Sequence, residues 1–376
     1  MDKKSFLLKK YYSSQSNNTR QSTNIDNNFK LSNSEKKFYN IQKLNNWQKA
    51  LYIYQYISKN NIDFINILKE NTSYDNIITH NNSNHIINND LLLISNDSTI
   101  TEDLQNLLND NKLITIRMGC VESAFILKYI YNFTIYNDHL ITNIDNVDHY
   151  MKANAGLYYT NKYSKKDVFD WYCKNTIEIL KKSTITSCLL ALHYDLSLLS
   201  TLDIKTNIYS WASIHKLILR NLKNKKLLYI GSAVDSIKYA YTKNIQNAWK
   251  FNIGTFEMYF VKTPQTTLGM PYPNESIIET TNLIINEIIE NYIDFDIAIL
   301  GCGAYGPPII NILNNKLCNK NMIYLGSMCY TMFGLYSNGI PIPLFDKDVI
   351  KEGFIEVLEK CDDKCKNIDQ GKYWKK

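Results

Sequence analysis

FDIAILGCGAYGPPIINIL, residues 295–313, decides the fold. An apolar run from Phe295 to Leu300 enters Gly301-x-Gly303-x-x-Gly306 and then a helical pattern, so a buried strand turns through a glycine loop into a helix. The same strand, small-residue turn and helix succession occurs at ITIRMGCVES (114–123), at KKLLYIGSAVDSIKYAY (225–241) and at the end of MIYLGS (322–327). Read outward, the alternation predicts strands over 113–116, 184–192, 226–230, 256–261, 295–300 and 322–325. Helices are predicted over 101–111, 121–131, 165–182, 211–222, 233–248, 276–292, 308–316 and 347–360. Strands joined by crossovers of this length form a mostly parallel sheet with helices on both faces, a Rossmann-like α/β fold.

The glycines and prolines frame this region. The chain has 376 residues with 13 Gly and 7 Pro, yet no Gly precedes Gly119 and no Pro precedes Pro264. The N-terminal third therefore reads differently from the rest. Residues 1–34 form an Asn/Ser-rich flexible arm. Residues 35–100 form a helical extension and loop, with Phe38, Ile41, Leu44, Trp47 and Leu51 at helical spacing. Residues 101–345 form the α/β domain, and 346–376 a C-terminal helix with a basic tail.

Composition excludes several classes. Apolar residues make up 45% and charged residues 21%, which fits a globular chain and not a collagen-like or disordered one. No run of about 20 apolar residues spans a bilayer, and the start MDKKSFLLKKYYSS lacks a secretory apolar stretch. The expectation is a cytoplasmic protein, in a host cytoplasm if the AT-rich codon bias reflects a viral genome. The formal charge of +6 sits in the tails: residues 1–40 carry 8 Lys/Arg against 3 Asp/Glu and residues 364–376 carry 5 Lys against one Asp, so the body is about −3. That distribution offers no basic groove for nucleic acid. The eight cysteines are scattered, and the single CxxxC of Cys361 and Cys365 lacks the second pair a zinc site needs. His80 and His85 read as solvated loop residues.

In an open α/β sheet, ligands bind beyond the carboxyl ends of the strands. Four such junctions carry candidate chemistry. Arg117, Gly119 and Glu122 combine a cation, a tight turn and a carboxylate within six residues, and Arg117 is one of only three arginines beside 39 lysines. A planar bidentate donor suits phosphate, although an internal Arg–Glu pair explains the same residues. His193 and Asp195 share a face of an extended segment, as a base oriented by a carboxylate or with Asp195 as a helix cap. Gly231 and Ser232 open a helix whose free N–H groups suit phosphate. Gly301, Gly303 and Gly306 match the dinucleotide fingerprint, but the next strand ends in Ser327 where a ribose-binding acid is wanted, and Pro307 and Pro308 remove N–H groups.

The succession IRMGCVES, KANAGLYY, WASIHKLILRNLKNKKLLYIGSAVDSIKYAY, VKTPQTTLG, FDIAILGCGAYGPPIINIL and IYLGSMCYTMFGL, over about residues 105–336, resembles the GT-D type glycosyltransferase family and its uncharacterised relatives. The resemblance implies a GT-D-like catalytic domain that moves a sugar from a nucleotide-diphosphate donor to a hydroxyl of a glycan or protein acceptor. Arg117, Gly119 and Glu122 then take the place of an R-x-G-x-x-E motif associated with the diphosphate and with Mn²⁺ or Mg²⁺. Cys120 stands where the first metal-binding acid would be, and a thiol is a poor ligand for such hard cations, which leaves Glu122 as the metal ligand. Ser327 replaces the second glycine of the family's LGG-like turn, and Tyr330 replaces a glutamine. On this reading Arg117, Gly119, Gly231, Ser232, Gly301, Gly303, Tyr305 and Gly306 bind nucleotide or phosphate. Glu122, His193 and Asp195 are the candidate bases, and Trp211, Gln265 and Ser327 line the sugar or nucleoside pocket. Two alternatives stand beside it. One is an NAD(P)- or flavin-dependent oxidoreductase using the 301–306 loop, and the other a non-catalytic sugar- or nucleotide-binding protein of the same fold.

Overall fold

The computed structural model describes residues 93–94, 102–131, 147–187, 198, 202, 208–243, 245–267, 270–317, 319–337 and 353–360. The predicted arm, the helix beginning near Glu35, the Asn-rich loop, His193, Asp195 and the CxxxC lie outside them. Eight parallel strands form one sheet in the order β1-β4-β3-β2-β8-β7-β5-β6. They are β1 (Leu93–Ile94), β2 (Ile114–Met118), β3 (Thr184–Ser187), β4 (Ile208–Ser210), β5 (Lys226–Gly231), β6 (Glu257–Lys262), β7 (Ile297–Gly301) and β8 (Asn321–Tyr324). All six predicted strands are present. The short β4, three residues running directly into a helix, has too few positions to show a period.

Ten helices are described. In chain order they are α1 (Glu102–Asn109), α2 (Cys120–Tyr131), α3 (Val147–Ala153), α4 (Lys165–Leu180), α5 (Trp211–Arg220), α6 (Val234–Lys243), α7 (Ile245–Ala248), α8 (Ile277–Asn291), α9 (Gly306–Lys316) and α10 (Cys329–Met332). None of the described helices is long and apolar enough to cross a membrane. Their starts follow local chemistry. Ser164 caps α4 by accepting from the Asp167 N–H at 3.0 Å. Ser276 caps α8 by accepting from the Glu279 N–H, while the Glu279 carboxylate accepts from the Glu275 N–H at 3.1 Å.

Alternation along the strands builds two cores. Leu228, Ile230, Ala298, Leu300, Met322 and Tyr324 join one cluster with residues of α2, α3, α4, α8 and α9. Leu227, Tyr229, Ile297, Ile299 and Ile323 join the other with residues of α1, α5, α6 and α10. Successive side chains on a strand point to opposite faces, so these two clusters are the two faces of the sheet. Each buried aliphatic side chain contributes about 1.5–3 kcal/mol relative to an exposed one.

The C-terminal segment departs from expectation. A helix over 347–360 is predicted, but residues 353–360 run extended, with β10 (Ile355–Glu356) paired in parallel with β9 (Leu335–Tyr336). Val357 buries completely in the second core and holds the strand there, which overrides the helical spacing of this stretch.

The topology opens the sheet at one edge. The helices after β2 and β7 pack on one face, whereas those after β5 and β8 pack on the other. In the order β2-β8-β7-β5, neighbouring strands therefore send their chains to opposite faces, which leaves crevices beyond their carboxyl ends.

Candidate active site

A cleft of about 150 Å³ occupies that edge. β2 brings Arg117, the first turn of α2 brings Glu122, β5 leads into Ser232, and β6 into Thr263–Thr267. β7 delivers Gly301–Gly303, β8 leads into Gly326 and Ser327, and Asn154–Gly156 close the side. Of the sequence-derived candidates, Arg117, Glu122, Ser232, Gln265, Gly301, Gly303, Tyr305 and Ser327 line this one space. Gly119, Gly231 and Gly306 stand behind the wall. The Glu122 carboxylate folds over Gly119 and fills the position of a Cβ there, the Tyr229 hydroxyl and Gly301 carbonyl do so at Gly231, and the Tyr324 ring does so at Gly306. Trp211 opens α5, and its side chain is outside the described residues.

The loops brace one another. Gly156, at φ +79°, accepts from Thr266 Oγ1 at 2.7 Å, and Tyr305 donates to the same Thr266 hydroxyl at 3.1 Å. The Ala155 carbonyl accepts from the Ala304 N–H at 2.7 Å. The KANAG and TPQT stretches thus hold the GAYG turn. Arg117 is placed by Gly326, whose φ is +56° and whose Cβ, if present, would lie 2.7 Å from Arg117 Nη1. Only glycine gives both that backbone and that space.

Two helix starts differ from the expectation that they hold phosphate. At α9, Ala304 N–H is bonded to Ala155, the Gly306 N–H is bonded to the Gly303 carbonyl, and the next two positions are Pro307 and Pro308. With the Tyr305 N–H bonded to the Cys302 carbonyl, the N–H groups of residues 304–306 are taken and those of 307 and 308 are absent. The close approach that Gly303 allows is taken by the chain's own Ala155 carbonyl, which fills the space of a Cβ. At α6, the Ser236 N–H donates to Glu359 Oε1 at 3.1 Å, Ser236 Oγ pairs with Glu359 Oε2, and the Leu358 N–H donates to Ser236 Oγ at 2.7 Å. The extended C-terminal segment thus supplies a carboxylate to that helix N-terminus. Arg117 is the one guanidinium among the described residues lining the cleft.

The phenols around the cleft are neutral groups. Burial, with the Glu122 charge next, pushes the Tyr324 hydroxyl well above its ordinary range, while Arg117 opposes the shift. Burial does the same to Tyr305 and Tyr330, whose hydroxyl is bonded to Ser232. Burial also pushes the Cys302 thiol well up and the Cys329 thiol up to about 12, so neither is a thiolate nucleophile. Ser232 receives a second contact, from Gln265 Nε2 at 3.4 Å. Thr263, 1% exposed, has a hydroxyl with no hydrogen-bond partner among the described residues.

The described residues offer a divalent cation a single carboxylate in this cleft. Among the described residues no group of three metal-type ligands exists, and Glu122 is the single carboxylate lining the cleft. Mg²⁺ and Mn²⁺ want several hard oxygens.

Sequence reasoning missed Asn154, Thr263, Thr267 and Tyr330 as lining residues. All four lie within the stretches KANAGLYY, VKTPQTTLG and IYLGSMCYTMFGL, but none is a charged residue or a glycine that would mark it as a lining position. The chain matches no known family, no curated protein and no solved structure.

Proposed function

We propose that the chain is a GT-D-like glycosyltransferase, transferring a sugar from a nucleoside-diphosphate donor to a hydroxyl of a glycan or protein acceptor. The observation that carries the reading is convergence. Arg117, Glu122, Ser232, Gln265, Tyr305 and Ser327, far apart in sequence, line one cleft at the carboxyl edge of a parallel sheet.

The chemistry asks for two things. As the bond between the anomeric carbon and the diphosphate oxygen breaks, the electron pair leaves with the diphosphate, and its growing charge needs a fixed cation. Arg117, held by Gly326, supplies it without a protein-bound metal. As the acceptor oxygen bonds to the anomeric carbon, its proton needs a base. Glu122 is the described carboxylate in reach of the cleft and takes that role. The neutral hydroxyls of Ser232, Thr263 and Tyr305 suit the uncharged sugar.

The occupied turn at Gly303 favours this reading over a dinucleotide-dependent oxidoreductase, because the pyrophosphate's place is filled by Ala155. The test is incubation with a panel of UDP-, GDP- and dTDP-sugars, with and without Mn²⁺, following release of the nucleoside diphosphate. Release that falls at least 100-fold in Glu122→Gln, with diphosphate binding kept, supports catalysis. Binding without release in any condition points to the non-catalytic alternative, and neither binding nor release removes the proposal.

A further inference from the structure

Tyr324 lines the cleft, yet the scheme above gives it no task. It ends β8, its ring lies in the first core cluster, and only 1% of it is exposed. Gly306 makes room for that ring, which fills the position of a Cβ there. Gly326 makes room at the other end, where a Cβ would lie 2.7 Å from Arg117 Nη1 and 3.8 Å from the Tyr324 hydroxyl oxygen. The guanidinium and the phenol thus reach the same side of one glycine, and both line the cleft.

The hydroxyl has no hydrogen-bond partner among the described residues. It is not sealed in protein either, as the unpartnered hydroxyls of Thr263 and Tyr172 are, so the 1% of Tyr324 that stays open includes its oxygen. The ring alone satisfies the packing. The oxygen adds an unpaired polar atom to a buried side chain, a cost to folding that a bound ligand removes.

Its surroundings narrow the ligand. Burial, with the Glu122 charge next, keeps the phenol protonated, so toward an anion it is a donor. A neutral donor beside a guanidinium suits an oxygen that carries or gathers negative charge. The hydroxyl feels both Glu122 and Arg117, the groups that the proposed reaction assigns to the acceptor proton and to the leaving diphosphate. A phenol that both charges reach belongs beside the oxygen on which charge grows.

We propose that Tyr324 and Arg117 form a two-donor oxyanion site, in which the Tyr324 hydroxyl donates a hydrogen bond to a phosphoryl oxygen that the guanidinium also contacts. The phenol keeps its proton throughout. Its occupation by the diphosphate of a nucleotide sugar rests on the glycosyltransferase reading, whereas oxyanion binding does not.

The test titrates inorganic pyrophosphate and UDP into the full chain in EDTA, by calorimetry and phosphorus NMR, with thermal unfolding recorded for every protein. The variants are Tyr324→Phe, Arg117→Ala and Tyr241→Phe. Tyr241 donates to the Phe256 carbonyl at 2.7 Å and is not a cleft residue. At least one of the two anions is expected to bind the parent, with affinity falling about tenfold in Y324F and R117A and unchanged in Y241F. Y324F gives up no hydrogen bond to a described residue, so its unfolding temperature is expected to equal or exceed the parent's. A tyrosine that serves the fold alone does not combine weaker binding with undiminished stability. Three results overturn the proposal: neither anion binds the parent, the anion binds Y324F and the parent equally, or the loss of affinity in Y324F comes with a lower unfolding temperature. Pyrophosphate binding that Y324F weakens, in a protein that turns over no nucleotide sugar, keeps the oxyanion site and discards the transferase reading.

Discussion

The Arg117 guanidinium rests against the α-carbon of Gly326, so that a Cβ there would come within 2.7 Å of Nη1. Arg117 lies one residue before the end of β2 and Gly326 two residues past the end of the adjacent β8, and their contact places the arginine that lines the cleft. Gly326→Ala places a side chain on a residue at φ +56° and drives it into the guanidinium. The expected cost is about 1–3 kcal/mol of stability, from strain at a left-handed position. Nucleoside-diphosphate affinity is expected to fall at least tenfold, measured by calorimetry beside a urea unfolding curve.

Glu359 ties the C-terminal segment to α6 through Ser236. Glu359→Ala removes the acceptor from a helix-terminal N–H and is expected to cost about 1 kcal/mol. Urea unfolding reads the loss, and hydrogen exchange of the Ser236 amide is expected to quicken. An unchanged Ser236 amide contradicts the contact.

His215 is fully buried in α5, and burial holds its pKa down at about 3. In the unfolded chain it titrates near 6.5, so below that pH the unfolded state binds the proton and the folded state does not. Stability is therefore fully present above about pH 6.5 and falls as pH drops toward 3, with a limiting slope of about 1.4 kcal/mol per pH unit from this group. His215→Leu is expected to flatten that part of the stability–pH curve, and an unaltered slope counts against a neutral buried imidazole.

Much of this architecture is legible in the sequence because its strands are apolar runs ended by scarce glycines. Gly119, Gly231, Gly301 and Gly326 each lie at or just after a strand end, and the residues beside them converge as expected. What the motifs do is less legible. Gly303 reads as room for a pyrophosphate, yet the room belongs to Ala155, a residue 148 positions away in sequence. The start of α6 reads as an open anion site, yet Glu359 occupies it. Both occupants are long-range partners, and no local pattern announces them.

The central claim is that Arg117 binds a diphosphate at the carboxyl edge of the sheet without a protein-held metal. The most direct measurement is calorimetric titration of UDP, GDP and dTDP into the parent protein and Arg117→Ala, in EDTA and in Mn²⁺. The account predicts that at least one binds the parent in EDTA, and that R117A weakens it by a factor of about 10 to 100, the loss of a charge-assisted contact of about 1.5–3 kcal/mol. Equal affinity in R117A, or no binding by any of the three in either condition, would contradict it.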